Sequence, residues 1–148
     1  MKLRTLCLTA ALSFGAIFAG SAIADEVWVM PSGNQIVYDR DVGDTAVLTY
    51  RAEQGLQSGQ IFVVGLGGRS EGRNAYQGYW VEADDAGAAC PAAIVDAEGK
   101  TWRRWGLVTI AFAKPSFPSS ITITRGECLH APAGRGVAAR PVVGAGVR

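Results

Sequence analysis

The segment GKTWRRWGLVTIAF, residues 99–112, sets two arginines between two tryptophans and runs on into an alternation of apolar side chains. Its reading decides the fold. In an extended chain successive side chains alternate between faces. Val108, Ile110 and Phe112 then share one face, while Leu107, Thr109 and Ala111 share the other with Trp105. The first set is the more apolar, so it faces the core. In a strand unbroken from Thr101 to Phe112, Trp102 joins that core face and seals its rim, with the stem of Arg104 running over it toward water. Arg103 and Trp105 fall on the more exposed face, where a guanidinium beside an indole is offered to a partner.

The rest of the chain repeats this pattern in short apolar runs separated by Gly, Pro, Asn and Asp, which is the signature of strands. Expected strands are 27–30, 35–38, 45–51, 60–66, 75–83, 92–96, 101–112 and 120–124, and no helix is expected. Pro115 and Pro118 stop the chain after Phe112, because proline cannot donate to a ladder. The expected fold is all-β, a small antiparallel β-sandwich or barrel of seven to eight short strands with one disulfide. From residue 131 the composition collapses to Ala, Gly, Pro, Val and Arg. Residues 131–148 therefore read as a flexible tail after a single β domain over 25–130, although 139–143 offers an edge strand.

The first 24 residues read as a signal peptide. Lys2 and Arg4 precede an apolar run from Leu6 to Phe18, and Ala22-Ile23-Ala24 supplies the small residues of a cleavage site. The expected location is periplasmic or secreted, with no membrane span in the mature chain, since no later segment approaches the roughly 20 apolar residues a span requires. Of 14 basic residues two leave with the signal, so the mature formal charge is 12 − 13 = −1. That balance argues against nucleic acid as a partner. Cys7 leaves as well, and the remaining pair, Cys90 and Cys128, is expected to form a disulfide in an oxidising compartment.

Several local motifs bear on chemistry. GLGGRSEG (65–72) resembles a dinucleotide fingerprint but has Ser70 where the third glycine belongs and no helix after it. EGKT (98–101) reads as a hairpin turn. Asp39, Asp41 and Asp44 stand at loop spacing that could hold calcium, but the loop lacks the later bidentate glutamate and reads better as an Asp-rich turn whose side chains bond their own backbone. Glu82, Asp84 and Asp85 offer a carboxylate pair, but they read better as a strand end and a turn. His130 is the only imidazole, and a hydrolase would require it to reach Ser116, Ser119 or Ser120.

Binding remains by elimination. AYQGYWVEA (75–83) places Tyr76, Gly78, Trp80 and Glu82 on one face, with Gln77, Tyr79, Val81 and Ala83 on the other. The expected function is non-catalytic binding of a protein or glycan through Arg103, Trp105 and Tyr79, with no metal and no cofactor. A periplasmic enzyme inhibitor is the alternative, since size, export signal, single disulfide and β pattern are shared with small periplasmic inhibitors of lysozymes and proteases. A small hydrolase using His130 is the second alternative.

Overall fold

The computed structural model describes residues 26–51 and 58–144. The expected signal peptide and its cleavage site lie outside the described residues. Among the described residues ten strands form: β1 Val27–Val29, β2 Gln35–Val42, β3 Thr45–Arg51, β4 Ser58–Val64, β5 Ala75–Glu82, β6 Ile94–Val95, β7 Thr101–Trp102, β8 Arg104–Phe112, β9 Ile121–Arg125 and β10 Val137–Pro141. Eight of them close into an antiparallel barrel in the order β1-β10-β9-β8-β5-β4-β3-β2, and β6 and β7 form a separate ribbon. Between β5 and β6 lies a 3-10 turn, Asp84–Ala86. No helix among the described residues is long and apolar enough to cross a membrane.

Period-two alternation fills the barrel. Ile36, Leu48, Ile61, Val63, Trp80, Val108, Ile110, Ile121 and Ile123 point inward into one core cluster. An eight-stranded barrel has an interior about wide enough for side chains to fill. Two glycines make the largest residues fit. A Cβ on Gly59 would lie 2.2 Å from the Tyr50 ring, and one on Gly106 would lie 2.5 Å from the Trp80 indole nitrogen.

One end of the barrel is shut. The Trp28 indole N–H donates to the Ser119 carbonyl at 2.7 Å, and the ring packs edge-on against Phe112 and Phe117. Above them the buried pair of Arg73 and Glu26 caps the barrel, with Arg73 Nη2 donating to Glu26 Oε1 at 2.9 Å.

On the outside, residues 83–103 fold back over β3, β4, β5 and β8. Val47, Phe62, Val81, Cys90, Trp102 and Trp105 make a second buried cluster beneath this flap. The ribbon's turn is organised by Asp96, whose Oδ1 accepts from the Glu98 and Lys100 amides and whose Oδ2 accepts from the Trp102 indole at 2.7 Å. Burial raises the Asp96 carboxyl, but these donors, with the Lys100 ammonium, outweigh it and leave it below its ordinary value. The EGKT stretch is thus a hairpin turn, with Gly99 at φ 86°. The disulfide between Cys90 and Cys128 is formed and ties the flap to the segment after β9.

Two expectations are corrected. The alternation through β8 holds, with Val108, Ile110 and Phe112 on the core side, but the chain bends at Arg103 and ends β7 at Trp102. Trp102 and Trp105 therefore meet in one cluster under the flap instead of on opposite faces, and both are buried, at 9% and 5% exposure. Within the tail expected over 131–148, the strand offered at 139–143 forms as β10 over Val137–Pro141, and it is no edge: it pairs with β9 and β1 and closes the barrel, with Ala139 buried in the core. Small residues suit this strand because it fits between neighbours that already carry the bulk.

Candidate functional site

The open end of the barrel is built from the C-terminal ends of β1, β3, β5 and β9 and the N-terminal ends of β2, β4, β8 and β10. Glu82 is the last residue of β5 and faces inward like Trp80. It is 4% exposed. Its carboxylate accepts from the Tyr50 hydroxyl at 2.7 Å, from Arg125 Nη2 at 3.0 Å and from Arg104 Nε at 3.2 Å. The Arg125 guanidinium also lies 3.9 Å from the centroid of the Trp80 ring. Burial alone would raise the Glu82 carboxyl, but the Tyr50 hydroxyl and the two guanidinia pull it below its ordinary value. Burial, opposed by Arg125 and assisted by the Glu82 charge, pushes the Tyr50 hydroxyl well above the usual phenol range. At neutral pH the cluster thus holds one carboxylate, two guanidinium ions and a neutral phenol.

Beside this cluster a cavity of about 780 Å³ opens at the barrel mouth. Ile36, Ile61 and Ile123 form its apolar floor, and Arg51, Arg125 and Arg135 stand around it. A volume of that size is in the range of small-ligand sites, which combine apolar walls with a few placed polar groups.

The residues singled out from sequence lie elsewhere. The Trp105 indole N–H donates to the Ala92 carbonyl at 2.8 Å beneath the flap. Tyr79 stacks on Phe62 with ring centroids 4.9 Å apart, and its hydroxyl accepts from the Ala97 amide. Arg103 is exposed at the bend, where its carbonyl accepts from the Cys90 amide. Trp105 and Tyr79 thus share the outer layer, and Arg103 lies outside it. The reason is the flap, whose return over β5 and β8 no local pattern announces.

His130 is exposed in the β9–β10 connection at the open end, with Nδ1 2.9 Å from the Glu127 carbonyl. Ser116, Ser119 and Ser120 belong to the β8–β9 connection at the shut end, so β9 separates them from the imidazole. The three aspartates also have separate engagements. Asp39 pairs with Arg40, Asp41 accepts from the Tyr38 hydroxyl and the Gly68 amide, and Asp44 accepts from Thr45. Among the described residues no three His, Cys, Asp or Glu side chains gather in a way that could hold a metal. Asp84 and Asp85 sit in the exposed 3-10 turn, while Glu82 points into the barrel.

The sequence reading missed Arg104 and Arg125 as site residues. ITITR (121–125) carries the signal, because Ile121 and Ile123 on the core face put Arg125 there too. Compared with protein-family models, with curated proteins and with solved structures, the chain matches none.

Proposed function

We propose that this chain is a small exported, non-catalytic binding protein that receives its ligand in the open mouth of the barrel. One observation carries the reading: the cavity has an apolar floor and a wall held rigid by the ion-paired Glu82 cluster. A preorganised wall lets a ligand bind without first ordering the site. The sequence pointed to a protein or glycan partner; a pocket of this size favours a small molecule or the end of a larger one. Export rests on the leader, and a disulfide is compatible with it.

The test uses the neutral apolar probe N-phenyl-1-naphthylamine. Saturable binding is expected, and Ala133→Trp, at an exposed position lining the cavity, should abolish it. Binding unaffected by Ala133→Trp would remove the mouth from consideration.

Enzyme inhibition is the second reading, and one observation favours it. Leu129 is 76% exposed and follows Cys128, which is held at φ 52° and tied by the disulfide. A rigid turn presenting an apolar side chain suits insertion into a partner's pocket. Inhibition of a lysozyme or peptidase that is lost in Leu129→Asp would support it, and inhibition retained in that variant would exclude this turn as the inhibitory element.

A further inference from the structure

We propose that the ligand of the barrel mouth is an anionic amphiphile, with one carboxylate or phosphate headgroup held by Arg51, Arg125 and Arg135 and an apolar body resting on Ile36, Ile61 and Ile123. The inference rests on the mouth being the binding site. It adds the chemistry of what enters.

Charge supplies the first observation. The described residues lining the cavity include three arginines and no acid. Arg51 and Arg135 are exposed and make no ion pair or side-chain hydrogen bond among the described residues. Arg125 does have a partner, but it shares the single carboxylate of Glu82 with Arg104. Arg104 has a further acid, Glu127, at 3.6 Å. Among the described residues Arg125 has no second acid, so positive charge remains uncompensated there on the side of the cluster that faces the cavity.

The floor supplies the second. Ile36, Ile61 and Ile123 line the same cavity as these cations. A wholly apolar ligand would strip water from guanidinium groups without replacing its hydrogen bonds, which is unfavourable. A small hydrophilic anion would leave the isoleucines with nothing to bury. A molecule with both features satisfies both surfaces, and planar guanidinium forks match the paired oxygens of a carboxylate or phosphate. Stacking on Trp80 fixes the Arg125 plane in advance.

Isothermal titration calorimetry on the whole protein with decanoate, decyl phosphate and decanol tests this. Both anions are expected to bind at one site, about tenfold or more tighter than the alcohol, and added salt should weaken the anions alone. The tighter anion identifies the headgroup. Arg51→Gln with Arg135→Gln, both at exposed positions that do not support the core, should remove most of the advantage that the anions have over decanol. Decanol binding as tightly as decanoate would overturn the inference while leaving the mouth as a binding site. Saturable naphthylamine binding blocked by Ala133→Trp, with no binding of either anion, would do the same. Naphthylamine binding insensitive to Ala133→Trp would instead overturn the mouth itself.

Discussion

The guanidinium of Arg125 rests 3.9 Å from the centroid of the Trp80 ring and, from that position, donates to Glu82. Three charged groups, a buried Glu82 and the partly exposed Arg104 and Arg125, thus hold one another in place with one indole. Glu82 is the carboxylate that both cations share, so its loss leaves them facing each other. Glu82→Gln should lower unfolding free energy by about 3 kcal/mol, within the range for breaking a buried ion pair. Adding Arg125→Met should recover part of the loss, since an apolar side chain of similar length still covers Trp80. Urea denaturation of the three proteins measures this, and a further drop in the double variant would contradict it.

Acid should destabilise the fold through Glu82 and Asp96. Both carboxyls lie below their ordinary values in the folded protein. Each therefore contributes stability that is complete above the unfolded value, about 4, and is lost as pH falls through the lower folded value. Unfolding free energy should be flat near neutral pH and fall below about pH 4. The slope should be shallower in Glu82→Gln. An identical slope in that variant would assign the acid sensitivity to other groups.

Trp102→Ala and Trp105→Ala should be comparably severe, each about 3 kcal/mol or more, because both rings are buried in the same outer cluster. Their combination should be less than additive, since the second truncation enters a layer already opened by the first. Thermal or urea unfolding decides it. A near-neutral Trp105→Ala would mean that the flap does not press on that indole.

Reducing the disulfide, or replacing Cys90 with Ser, should lower stability by up to about 4 kcal/mol for a sequence separation of 38 residues. Near-ultraviolet circular dichroism should lose tryptophan signal first, because Cys90 lies in the cluster that contains Trp102 and Trp105. Thiol titration of the denatured, unreduced protein should read no free thiol from Cys90 or Cys128.

Ala139→Asp should prevent folding. Ala139 is wholly buried in the strand that closes the barrel, and an unpaired carboxylate there has no partner within the core. The exposed neighbour Ala138 should accept the same change with little effect, and comparing soluble yield and circular dichroism separates the two.

The barrel strands were legible because alternation is a local signal: Ile110 and Val108, or Leu48 and Ala46, declare their face through their neighbours. The flap was not, since its placement over Phe62 and Val81 is a long-range packing event. The bend at Arg103 was hidden for the same reason, as β-forming residues stand on both sides of it and only the pull of the second cluster interrupts the strand. Strand β10 was legible only as an edge strand over 139–143, because Val-Ala-Ala-Arg-Pro carries little apolar weight, and only the gap between β9 and β1 makes it the strand that closes the barrel. Glu82 and Trp80 were already on one face of AYQGYWVEA. That Arg104 and Arg125 would meet them depended on barrel closure.

The flap gives the barrel two unequal halves. Strands β3, β4, β5 and the first part of β8 are packed on both faces, whereas β9 and β10 carry exposed residues such as Thr122 and Ala138 on their outer side. Backbone amides in the double-walled half should exchange with solvent only on global unfolding, and those of β9 and β10 through smaller local openings. The cavity lies against that looser half, through Ile123, Arg125, Val137 and Ala138. Breathing of β9 and β10 would therefore widen the mouth while the rest of the barrel stays shut, so the pace at which the proposed ligand enters would follow a local opening instead of the stability of the whole fold.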